Sequence, residues 1–185
     1  MTEVTSLAGR LLVAAPALAD PNFDRSVVLM LDHDEQGALG VVLNRPTPVD
    51  VADVLAPWAA LAGEPGVVFQ GGPVALDAAL ALAVAPGAGP LGWRRVRGAI
   101  GLVDLDAPPE VMAAELGSLR IFAGYAGWGP GQLEQELEEN AWYVVDAEPG
   151  DVCVPEPGGL WRSVLRRQRG NLAMLATYPD DPSLN

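Results

Sequence analysis

Ser26-Val27-Val28-Leu29-Met30-Leu31, Asp32-His33-Asp34-Glu35-Gln36-Gly37 and Ala38-Leu39-Gly40-Val41-Val42-Leu43 are three consecutive blocks whose reading decides the fold. The first and third are almost wholly apolar, and the first is rich in the β-branched residues that favour a pleated, buried strand. The polar block between them reads as an exposed turn, so the three together predict a hairpin with a loop longer than the two-residue minimum. Asn44-Arg45-Pro46 ends it, because proline cannot donate to a ladder.

Working outward, Leu11 to Ala15 ahead of Pro16 reads as a further buried strand, and Val67-Val68-Phe69 as another before the paired glycines of Gly71-Gly72-Pro73. Gly98 to Val103, Leu119 to Tyr125 and Trp142 to Val145 add three more strands. Helical spacing is found over Asp50 to Leu61, with Pro57 expected to bend it, and over Pro108 to Leu116, where proline opens the first turn. Two more helices are expected: Gln132 to Asn140, and a last one with Trp161, Val164, Leu165 and Gln168 on one face and arginines on the other. Ala75 to Ala85 is open between helix, by alanine propensity, and a buried strand, by length and flanking breakers. The expectation is an α+β fold in one compact domain over residues 1–185, a mixed sheet flanked by three to four helices.

The 50% hydrophobic content exceeds that of a disordered chain. No apolar run approaches the ~20 residues of a membrane helix, and the N-terminus lacks the basic region of a signal peptide. Cys153 is the single cysteine, which fits a reducing cytosol and reads as a buried strand thiol. The net charge is −13, and all 11 basic residues are arginines, so direct nucleic-acid binding is disfavoured.

Motifs for chemistry are weak. Gly87-Ala88-Gly89-Pro90-Leu91-Gly92 has dinucleotide-loop spacing but no helix behind it, and reads as a turn. The glycine loop Gly127 to Gly131 runs into a helix start that already carries Glu134 and Glu136, which opposes phosphate there. His33, the sole histidine, lies among Asp32, Asp34 and Glu35 without a metal-site spacing, so no metal and no cofactor is expected. Glu134, Glu136, Glu138 and Glu139 form an acidic row without i+4 cations, and Arg162, Arg166 or Arg169 of the last helix, or a basic partner, is expected to face it.

Leu11 to Pro16, Asp20 to Val28, His33, Gly37 to Pro46, Gly71 to Val74, Gly124 to Glu136, Asn140 to Trp142 and Trp161 together resemble the AlgH/YqgE family. The resemblance spans about residues 7 to 175 and implies a bacterial, cytoplasmic protein with an α+β fold on a mixed sheet. Members of that family have been called transcriptional regulators from a link to alginate production, but the resemblance does not imply a function and carries over no enzyme activity, ligand or catalytic residue. One departure falls at Asp77 to Val84, where the family has a more polar stretch with a leucine–histidine pair.

The expected function is a non-enzymatic binding or regulatory module for an unidentified protein or small-molecule partner. Its recognition surface is expected to gather Asp20, Phe23, Arg25, His33, Asn44, Arg45, Gly72, Tyr125, Trp128, Gln132 and Glu134 from strand ends. The alternative is a small-molecule hydrolase or transferase working in a polar loop cleft.

Overall fold

A computed structural model describes residues 6–16, 18, 23–87, 89–90 and 92–177. The predicted hairpin is present as β2 (Val27–Asp34) and β3 (Gly37–Val42). Its ladder runs to Asp34 opposite Gly37, so the loop shrinks to Glu35-Gln36. The turn closes because the Gln36 N–H donates to Asp34 Oδ1 at 2.8 Å. Consequently His33 lies inside the strand and not in an exposed turn. A bulge after Met30 inserts Leu31, and it leaves both Leu31 and His33 buried with exposed Asp32 between them.

Around this hairpin, β1 (Arg10–Ala14) pairs with β2 and with β10 (Trp142–Asp146). On the other side β3 meets β9 (Leu119–Trp128), which also pairs with β6 (Val74–Val84). Beyond β6 lie β8 (Ile100–Val103) and β7 (Trp93–Arg97). The short pair β4 (Pro46–Asp50) and β5 (Val67–Gln70) joins through β5, which runs parallel to β9. The sheet is a curled one of ten strands, antiparallel apart from that contact and an isolated parallel bridge from Ala62 to Leu119. Ala75–Ala85, open between helix and strand, is resolved as strand.

Central strands are buried on both faces, which is why they read as unbroken apolar runs. Leu11, Val13, Val27, Leu29 and Val41 face α4 (Leu160–Arg166). Leu12, Ala14, Val28, Met30 and Val42 point the other way, towards Leu133 on α3 (Gln132–Glu138). The side-chain period of two therefore puts the two longest helices on opposite sides of the sheet.

The helical cover is thinner than expected. α1 (Val51–Val54), α2 (Pro109–Met112) and α5 (Asn171–Met174) are single turns. The long helix expected over Asp50 to Leu61 stops because Leu55 leaves helical angles, at φ −141°, and Pro57 sits in a tighter 3-10 turn, Ala56–Trp58. Cys153 ends another 3-10 turn, Pro149–Cys153, instead of sitting in a strand; Glu148 and Asp151 cap that turn reciprocally. Burial pushes its thiol up to about 11.

Halfway along β9 the strand changes partner. Gly124 takes a left-handed φ of 76°, after which Ala126–Trp128 pair with β3 instead of β6. At Gly72, with φ 155°, a Cβ would overlap the Tyr125 carbonyl, so the main chains of two segments touch directly here.

Candidate functional site

The surface expected from the sequence divides at one loop. Phe23 packs with the α3 face and Arg25 with the α4 face, and Ser26 between them and β2 is fully buried. The Ser26 hydroxyl donates to the Phe23 carbonyl at 2.8 Å. Asn44 spans the next step: its amide donates to the Arg25 carbonyl at 3.0 Å while its oxygen accepts the Val27 N–H at 3.0 Å. These bonds hold Arg25 in the left-handed region, φ 53°, where a residue with a Cβ is uncommon and a functional constraint is a frequent cause. Arg45 adds a bond from Nη2 to the Asp24 carbonyl at 3.0 Å.

On the α4 side this clamp builds a hollow of about 210 Å3 lined by Asp24, Arg25, Asn44, Arg45, Trp161 and Arg162, with Gly158 at its margin. Trp161 is its anchor. The indole N–H donates to the Ala14 carbonyl at 2.8 Å, which fixes the ring. The Arg25 guanidinium lies 4.7 Å from the ring centroid and that of Arg162 lies 5.7 Å away, so two cations share one aromatic ring. Arg162 is further held by a bond to the Ala176 carbonyl at 2.7 Å. Among the described residues this lining holds three arginines and one aspartate, on a chain whose net charge is −13.

On the α3 side Phe23, Trp128 and Trp142 form an aromatic cluster. Phe23 stacks at 6.2 Å on Trp128 and meets Trp142 edge-on at 5.5 Å; the two indoles are 6.1 Å apart. Glu136 ties the cluster together, because its Oε1 accepts the Trp128 N–H at 3.0 Å and the Trp142 N–H at 2.9 Å. Gln132 donates to the other oxygen at 3.0 Å and accepts the Gly129 N–H at 3.0 Å, so that donor of the glycine loop is already satisfied. A second hollow, of about 260 Å3, opens against these side chains.

His33 and Glu134 pair on this side as well, with Nε2 and Oε1 at 2.5 Å. Nδ1 accepts the Leu7 N–H at 3.1 Å, so the ring proton sits on Nε2 and is directed at the carboxylate. That hydrogen bond holds Glu134 below the usual carboxylate range. Both ring nitrogens of the chain's single histidine are thus engaged. Among the described residues no group of acids, histidine and cysteine could hold a metal ion.

The remaining expectations separate. Gly72 and Tyr125 belong to the strand crossing and join neither hollow. Asp20 lies outside the described residues. The arginines of α4 do not face the acidic row, since the sheet lies between them. Arg167, just past α4, instead grips Asp151 with both amino groups, at 2.7 and 2.6 Å, and reaches Glu148 at 2.9 Å. Sequence patterning does not show the part played by Trp161, Trp142 and Glu136: Trp142 and Trp161 each read as a core position of their own element, and only the tertiary fold brings them to Phe23 and Arg25. A third, apolar groove lies between α1 and the irregular start of β6, with Leu76, Asp77 and Ala78 at its wall, where the sequence departs from the AlgH/YqgE pattern.

A curled, chiefly antiparallel sheet with a few short helices makes this an α+β protein, and none of those helices is long and apolar enough to cross a membrane. The family model described as DUF179, AlgH-like, matches residues 11–173, and the chain belongs to that family. It is 77% identical to a UPF0301 protein of Streptomyces avermitilis, covering 100% of this chain and 98% of that one. A UPF0301 protein of Mycobacterium tuberculosis is 50% identical, covering 96% and 90%. The crystal structure of a Corynebacterium diphtheriae protein superposes with a TM-score of 0.89 at 32% identity, over 96% of this chain and 95% of that one. The solution structure of AlgH from Pseudomonas aeruginosa gives 0.69 at 31% identity, covering 98% of each chain.

Proposed function

We propose that this protein is a non-enzymatic binding module that recognises a carboxylate or phosphate group in the hollow formed by Arg25, Arg45 and Arg162 over Trp161. The observation that carries this reading is the convergence of three of the chain's 11 arginines on one concavity, against a net charge of −13. Guanidinium groups offer forked donors that match carboxylate and phosphate oxygens, and stacking on an indole pre-orders two of them before a ligand arrives. The strained backbone at Arg25, held by Asn44, is the kind of constraint expected where side-chain placement matters. The remainder of the surface repels polyanions, so a small anion or a single acidic side chain of a protein suits the hollow better than DNA does.

A regulatory role in a bacterial cytoplasm fits a protein that senses such an anion without touching DNA itself. A hydrolase or transferase that relied on a histidine base would have to work through His33, whose two nitrogens both make hydrogen bonds. Calorimetric titration with inorganic phosphate and with citrate at constant ionic strength tests the proposal. Saturable binding in the millimolar range or tighter, weakened about tenfold by Arg45→Gln, supports it. No binding of either anion, or binding unaffected by Arg45→Gln, refutes it.

A further inference from the structure

The basic hollow lies beside the point where the described chain stops. Its Trp161 and Arg162 come from α4, and the last described turn, Leu175–Thr177, packs back on that helix through buried Ala176. Arg162 Nη1 donates to the Ala176 carbonyl at 2.7 Å, and the Thr177 hydroxyl donates to the Met174 carbonyl at 2.8 Å. The chain therefore leaves this turn from a fixed point next to Arg162. Residues 178–185, which lie outside the described residues, follow as Tyr178-Pro179-Asp180-Asp181-Pro182-Ser183-Leu184-Asn185, with two carboxylate side chains and no basic one. Asp180 stands three residues beyond Thr177, a reach of about 10 Å for an extended chain. Within that reach is a lining of three arginines and a single acid, Asp24.

We propose that Asp180 and Asp181 seat against Arg162 in this hollow, so that the chain's own carboxylates compete there with an external anion. The inference rests on the anion-binding reading above and adds a regulator to the same site. Guanidinium groups take a carboxylate in the same forked geometry as a phosphate, so one can replace the other without moving the arginines. Other acids of the chain are less well placed: Glu134 to Glu139 belong to the α3 side, with the sheet between them and the hollow. A tether of three residues gives the aspartates an effective concentration in the millimolar range, where phosphate itself is expected to bind. Pro179 and Pro182 flank the pair, and their fixed φ lowers the entropy lost when the segment is ordered. An arriving anion displaces the segment, which couples occupancy of the hollow to release of Tyr178 to Asn185.

The test compares the full-length wild type with the double variant Asp180→Asn, Asp181→Asn in a calorimetric titration with inorganic phosphate at constant ionic strength. The double variant should bind phosphate about fivefold tighter. A control, Glu138→Gln with Glu139→Gln, removes the same number of charges from exposed positions on the α3 side and should stay within about twofold of the wild type. Before any phosphate is added, neutralising the two aspartates should shift the Trp161 indole and Arg162 Nε–H resonances and leave Trp128 and Trp142 unmoved. Equal phosphate affinity in the wild type and the aspartate variant, or the same gain in the glutamate control, overturns this proposal and leaves the anion reading standing. No phosphate binding by any of the three proteins overturns both. A gain that grows with protein concentration assigns the effect to the segment of a second copy and overturns the intramolecular seating.

Discussion

Phe23 and Arg25 are two residues apart, yet one joins a packed aromatic cluster and the other a basic hollow on the far side of the sheet. Each face has tryptophan at its centre, so aromatic character does not distinguish them. What differs is the polar group beside the indole: on the α3 side Glu136 accepts indole N–H bonds, and on the α4 side guanidiniums lie over the ring. A strand-entry loop held by Ser26 and Asn44 thus feeds packing on one face and an open basic hollow on the other. The comparison teaches that proximity in sequence at a strand end marks functional loops well but does not say which residues share a site.

The largest effect is expected at the shared clamp. Asn44→Ala removes both bonds that span the Arg25–Val27 step and should cost about 2–4 kcal/mol, read as a lower denaturation midpoint. It should also weaken phosphate binding; lost stability with unchanged phosphate affinity would break the idea of a clamp that places Arg25. Next, Phe23→Ala should cost about 2 kcal/mol of stability while leaving phosphate binding intact. Arg162→Gln should do the reverse, weakening phosphate about tenfold in calorimetry with a smaller loss of stability. If both variants weaken phosphate equally, the two faces are not separate.

The smallest effect concerns pH. Glu134 is held below its ordinary value of 4.5, chiefly by His33, so its contribution is complete above that value and is lost as the pH falls through the lower folded value. Its side chain is 37% exposed, which screens the interaction and keeps the contribution small. Thermal melts of the wild type and Glu134→Gln should therefore converge in acid below pH 4.5 and differ modestly at neutral pH. A gap that widens on acidification would contradict the assignment.

Much of the sheet was legible because its strands are buried on both faces and their apolar runs are short and bounded by glycine, proline or polar turns. The helices were less so. Asp50 to Leu61 carries helical spacing, but Pro57 and the non-helical Leu55 cut it to a single turn. Ala75 to Ala85 has helical propensity, and it is the pairing of Ala79–Ala83 with β9 that makes it a strand. The acidic neighbours of His33 suggest a turn, whereas the ladder continues three residues further, to Asp34. Among the site residues, Arg25 stands before β2 and Asn44 and Arg45 follow β3, so the hairpin itself brings these three together. Trp161 and Arg162, more than 100 positions away, join them only because α4 folds back across one face, a fact no local pattern contains.

The most direct measurement of the central claim is a phosphate titration at constant ionic strength, observed through the side-chain Nε–H resonances of the arginines. The account predicts saturable shifts at Arg25, Arg45 and Arg162 and at the Trp161 indole, with Trp128 and Trp142 unmoved. Shifts spread evenly over all 11 arginines, or none at any of these four residues, would contradict it.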